Sequence, residues 1–146
     1  MSLVYWDSIM FVYLLERHPG YFATVETVHQ AMRRRGDTLC TSIFTLGEVL
    51  VGPRKLGLNA GIDRVKAFFA SGSLRVLPFG VETADQFASV RAWTEASPAD
   101  AVHLAAAAEA RADIFLTNDQ KIARLTIPGI GKIAHLDPTL LRSLFP

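Results

Sequence analysis

Residues 3–8, Leu3-Val4-Tyr5-Trp6-Asp7-Ser8, run through four apolar side chains straight into an acid, and residues 114–119, Ile114-Phe115-Leu116-Thr117-Asn118-Asp119, repeat the arrangement much later. Each reads as a short buried strand that stops at a carboxylate where a helix opens. Working outward from the first, residues 8–17 have helical period until His18-Pro19-Gly20 ends it, and a second helix over about 21–34 puts Phe22, Val25, Val28 and Met32 on one stripe before Gly36-Asp37. A strand over 38–41 follows, then a helix carrying Leu46, Val49 and Leu50, with Ser42 or Thr45 as its cap and Pro53 as its stop. The alternation continues with a helix near 62–70, a strand over 74–77 and a helix over 81–93. Pro98 then opens an alanine-rich helix reaching 112, and the strand over 114–117 leads to a short helix over 118–125. A Pro128-Gly129 turn, a last strand over 130–136 and a turn or helix near 140–144 complete the pattern. Strands alternating with helices predict an α/β domain with a mainly parallel sheet covered on both faces. In such sheets ligands gather beyond the carboxyl ends of the strands, where Asp7 and Asp119 stand.

Half of the 146 residues are hydrophobic and 20% are charged, with 10 Gly and 7 Pro, which suits one domain over 1–146 with a sizeable core and no linker or repeat. The longest apolar run, 9–15, is far short of the roughly 18–20 residues that cross a bilayer. The first residues lack the basic leader and cleavage site of an export signal, so the expected location is cytoplasmic. Cys40 stands alone, which excludes Cys-x-x-Cys zinc and redox patterns and suits a reducing compartment. Lys and Arg total 15 against 14 for Asp and Glu, so the chain does not coat nucleic acid non-specifically, and any such contact is local. The densest basic clusters, Arg33-Arg34-Arg35 and Arg54-Lys55, are either solvated helix ends that favour the dipole or tracks for RNA phosphates.

Four acids carry the chemistry, and each has a plainer reading beside it. Asp7 and Asp119 are placed to cap helices. Glu48 has the solvated helix face that Glu usually occupies, and Asp100, in a first helical turn, complements the helix dipole. Together, however, Asp7, Glu48, Asp100 and Asp119 come from four different βα segments, each in an apolar stretch, and a parallel sheet would converge them at one end. Clustered carboxylates repel unless they are protonated or bind cations. An all-oxygen set without Cys or several His suits Mg2+ or Mn2+ rather than zinc, which is the logic of metal-dependent phosphodiester hydrolysis. Ser8 and Thr117 either orient these carboxylates or satisfy backbone groups, and Asn118 either touches phosphate or caps a helix. His103 shares a helix face with Asp100 but reads as a packed histidine with one satisfied nitrogen, outside the catalytic set. Gly129-Ile130-Gly131-Lys132 is too short for a phosphate-binding loop and reads as a turn.

Val4-Tyr5-Trp6-Asp7-Ser8, the segment 42–50 around Glu48, Ala99-Asp100-Ala101-Val102-His103-Leu104-Ala105 and Phe115-Leu116-Thr117-Asn118-Asp119 follow one another in an order that resembles the acidic motifs of PIN-domain ribonucleases. Among these the chain is most similar to the small VapC-type toxins of bacterial type II toxin–antitoxin pairs, over essentially its whole length. The resemblance implies a three-layer α/β/α domain with a central, mainly parallel sheet of about five strands, and endonucleolytic cutting of RNA. It further implies that Asp7, Glu48, Asp100 and Asp119 form an acidic quartet binding Mg2+ or Mn2+, that the chain forms a homodimer, and that an antitoxin protein silences it. The chain departs from the pattern twice: Ile9 stands where the family has a small polar residue, and Ser97-Pro98 where many relatives carry an arginine. Two other readings stay open, a PIN-like RNA- or protein-binding module that does not cut, and aspartyl-phosphate transfer, which wants a second acid where Ile9 stands.

Overall fold

The computed structural model describes residues 1–146. Its first element is the strand β1 (Leu3–Trp6), which turns at Asp7 into helix α1 (Ser8–Leu15) and then α2 (Phe22–Arg35). Strand β2 (Thr38–Ser42) leads to the helix pair α3 (Ile43–Leu56) and α4 (Asn59–Ala70), and β3 (Arg75–Leu77) to α5 (Val81–Trp93) and α6 (Pro98–Glu109). The chain ends with β4 (Ile114–Thr117), α7 (Gln120–Ala123), β5 (Lys132–His135) and α8 (Pro138–Leu144). The five strands form one sheet in the order β3-β2-β1-β4-β5, and every pairing is parallel.

Side chains alternate across each strand, and here both sides are apolar. Val4, Trp6, Leu39, Ile114, Leu116 and Ala134 enter one core, covered by α1 to α4 and α8. Tyr5, Cys40, Phe115 and Ile133 enter a second core on the opposite face, under α5, α6 and α7. Ala101, Ala106, Ala107 and Ala108 are buried there, and their small side chains let α6 lie close to its neighbours. The expected three-layer α/β/α architecture is thus present, with eight helices flanking five parallel strands.

Strands over 3–6 and 114–117 and the helix over 81–93 occur as expected. Pro53 does not stop its helix. α3 continues to Leu56, where Gly57, with φ 64°, closes it as its N–H reaches the Arg54 carbonyl and that of Leu58 reaches the Pro53 carbonyl. In the interior of a helix a proline forfeits one backbone bond. Pro53 forfeits it near the end of α3, where its buried ring packs beside Gly61 of α4. The helix expected over 118–125 is shorter, Gln120–Ala123: it starts later because Asp119 caps it, and it ends at the C-cap Arg124.

The chain runs outward from β1 to β3 at one edge, then returns to place β4 on the other side of β1. The strand order reverses between β1 and β4, and a crevice opens beyond their carboxyl ends.

Candidate active site

A cavity of about 870 Å³ occupies that crevice, with Asp7, Glu48, Asp100 and Asp119 all in its wall. Asp7 has the extended backbone of an N-cap, φ −75° and ψ 175°, yet its side chain makes no capping bond. Its Oδ1 is shut off from solvent and has no hydrogen-bond partner. Burial pushes its carboxyl up to about 6, and the charge of Asp100 adds to the rise. Ile9, two residues on and also in the pocket wall, offers that oxygen no donor.

The other three acids are held by hydrogen bonds, local ones for Asp119 and Asp100 and long-range ones for Glu48. Asp119 caps α7, its Oδ1 accepting the N–H of Lys121 at 2.8 Å and of Ile122 at 3.4 Å, while Thr117 Oγ1 accepts the Asp119 N–H at 3.1 Å. Asp100 lies in the first turn of α6, where the N-cap Ser97 Oγ accepts its N–H at 3.2 Å and donates to its Oδ2 at 3.0 Å. Glu48 is not on a solvated face: its Oε1 takes the Ser8 hydroxyl and lies 2.5 Å from His103 Nε2. Burial alone would raise the Glu48 carboxyl, but the hydrogen bonds from His103 and Ser8 outweigh it and hold the group below the usual carboxylate range.

His103, set aside on sequence, faces this pocket, and both of its nitrogens are engaged, Nε2 by Glu48 and Nδ1 by the Tyr5 hydroxyl at 2.7 Å. Its three-residue offset from Asp100 was the available signal. Tyr5 had none, since an aromatic on a buried strand reads as core. Asn118 also lines the cavity, its Nδ2 donating to the hydroxyl of Tyr13, whose ring stacks on Tyr21 at 4.5 Å between centroids. Lys121 and Arg124 stand in the same wall without an ion-pair partner. Arg33, Arg34 and Arg35 instead close the last turn of α2, and Arg35 pairs with Asp37 at 2.9 Å.

The donor set suits a hard cation, because carboxylate oxygens dominate it and Asp7 Oδ1 lacks any other partner. In the conformation described, no three His, Cys, Asp or Glu side chains converge on one point, and Glu48 is turned onto His103 and Ser8.

Sheet order, layers and pocket together define an α/β/α domain with acids gathered at the switch point of a parallel sheet. A family model of the PIN domain matches residues 4–128, and the chain belongs to that family. Among solved structures it is similar to VapBC2 from Rickettsia felis bound to a DNA fragment from its promoter. The TM-score is 0.70 at 18% identity, over 92% of this chain and 99% of that one. VapC20 of Mycobacterium tuberculosis, a Sarcin-Ricin loop cleaving toxin, matches with TM-score 0.69 at 15% identity, over 86% and 97%. DNA-bound VapBC from Salmonella typhimurium matches with TM-score 0.64 at 22% identity, over 94% and 100%. At such identities the likeness is one of fold. No curated protein matches the chain by sequence. No helix is long and apolar enough to cross a membrane.

Proposed function

We propose that the chain is a metal-dependent RNA endonuclease, the toxin of a toxin–antitoxin pair, with Asp7, Glu48, Asp100 and Asp119 as its acidic quartet. The observation that carries this reading is Asp7 Oδ1, a partnerless oxygen closed off from water in a wall shared with three further carboxylates. A carboxylate so placed is either protonated or bound to a cation. The four acids would hold Mg2+ or Mn2+, and a bound cation supplies the positive charge that polarises a phosphate and acidifies a water. Asp100 and Asp119, fixed through Ser97 and the α7 amides, keep their carboxylates at the cavity. Lys121 and Arg124 offer cations to RNA phosphates on the same wall and supply the charge that Ser97-Pro98 lacks. Water adds to phosphorus, the bond from phosphorus to the leaving ribose oxygen breaks, and that oxygen leaves as a hydroxyl with the proton the water gives up.

The VapBC and FitAB complexes among the structural neighbours support an antitoxin partner. Ile43, Phe44, Val51 and Leu56 leave exposed apolar surface on α3, the kind of face that an antitoxin or a second copy covers. The deciding experiment incubates purified protein and its Asp119→Asn variant with mixed RNA in Mn2+, Mg2+ or chelator. Metal-dependent cutting by the wild type and none by the variant is the expected result. RNA bound but left intact in every condition would overturn catalysis in favour of a binding module.

A further inference from the structure

We infer that His103, with its ring hydrogen directed by Tyr5, is a positioning residue that holds the Glu48 carboxylate in the pocket wall, an inference that rests on the nuclease reading for its catalytic consequence. The geometry is a chain of polar groups running from the cavity into the second core. Glu48 Oε1 lies 2.5 Å from His103 Nε2, which is also 3.2 Å from Ser8 Oγ. On the other side of the ring, His103 Nδ1 lies 2.7 Å from the Tyr5 hydroxyl. Tyr5 is fully buried, stacked on Phe115 at 5.0 Å between ring centroids, and its oxygen accepts the Ser42 N–H at 3.2 Å.

These contacts determine where the hydrogens go. At neutral pH the phenol carries its proton and can donate it. With its oxygen already taking an N–H from Ser42, the phenol is placed to give its own proton to His103 Nδ1, which also has Thr45 Oγ1 at 3.5 Å, and with Nδ1 as the acceptor the ring carries its hydrogen on Nε2. That N–H faces Glu48. A neutral imidazole has one donor and one acceptor nitrogen, and the partner of one decides the tautomer at the other. The contacts tie together β1, α1, α3 and α6, and they end on Glu48, which lies inside α3 away from any helix terminus. Without the His103 N–H, only the Ser8 hydroxyl would restrain a long side chain with several rotamers. A leucine would fill the space but leave the carboxylate free to swing, and lost outer partners of this kind typically lower metal affinity or activity by about 10- to 100-fold.

The test uses the full chain labelled with 15N-histidine, and Tyr5→Phe, which keeps the stacked ring and removes the hydroxyl alone. In the wild type, without metal or RNA, His103 is expected to carry its hydrogen on Nε2. Tyr5→Phe is expected to mix the tautomers, and Glu48→Gln to shift the Nε2 resonance. Mn2+ titration of Tyr5→Phe should show about tenfold weaker binding, and RNA cleavage a lower kcat at unchanged KM. His103→Gln, which keeps a donor, should recover more Mn2+ affinity than His103→Leu. A hydrogen on Nδ1, or wild-type tautomer and Mn2+ affinity in Tyr5→Phe, would overturn the positioning role. A wild type that neither binds Mn2+ nor cuts RNA would instead sink the nuclease reading, while the tautomer measurement still decides whether Tyr5 directs His103 at Glu48.

Discussion

Asp7 sits where burial and charge oppose each other most sharply. Its carboxyl rises from 3.8 to about 6 on folding, so its contribution to stability is full below 3.8 and is lost as pH climbs through 6. A rise of that size corresponds to a destabilisation on the order of 3 kcal/mol in metal-free protein at neutral pH. Asp7→Asn should therefore abolish cleavage yet stabilise the metal-free chain at pH 7.5 and flatten its pH dependence between about 4 and 6. Urea unfolding in chelator at both ends of that range measures it, and a wild-type slope in the variant would refute the burial argument. Cys40 is fully buried, and burial pushes its thiol up to about 12. A thiol reagent at pH 8 should leave the folded chain unlabelled and react promptly in denaturant. Asp7 and Asp119 were legible as strand-end acids because the apolar run before each is local. The bridging of Glu48 was not, since its partners Ser8 and His103 lie 40 and 55 positions away and no local period reports them.

Elements were legible wherever a local pattern decided them, as in β1, β4 and α5, and blurred wherever packing did. Pro53 is the clearest case: the intrinsic cost of a proline said stop, and burial against α4 carried α3 one more turn. The approach to β5 is decided by backbone contact. A Cβ at Gly129, where φ is 98°, would lie 2.7 Å from the Ala108 carbonyl oxygen, and one at Gly131 would lie 2.5 Å from that of Asp113. Neither carbonyl belongs to a flexible side chain. Gly129→Ala and Gly131→Ala should each destabilise by about 1–3 kcal/mol or more. Gly47, within α3, has open space around its missing Cβ, and Gly47→Ala should stabilise by roughly 0.5–1 kcal/mol. Equal midpoints for the three variants in urea would show that contact at these turns does not govern the entry to β5.

At the scale of the molecule, the proposed cation site would couple metal binding to folding through the acidic crevice. Mg2+ or Mn2+ at a hundredfold excess over its Kd should add about 2.7 kcal/mol to stability and raise Tm, and Asp119→Asn should lose most of that gain. A melting curve unmoved in the wild type would count against a cation site. The α/β class and the three layers followed from alternation in the sequence, because each strand pattern is short-range. The order β3-β2-β1-β4-β5 did not, because Val4 pairs with both Leu39 and Ile114, and only assembly of the whole sheet selects those neighbours. That order bears on more than geometry. The crevice lies between two strands whose acids are separated by most of the chain, so neither piece of a polypeptide broken between Asp7 and Asp119 carries the whole of its wall. On the nuclease reading proposed above, neither piece alone would cut RNA, and activity would be reserved for molecules made whole.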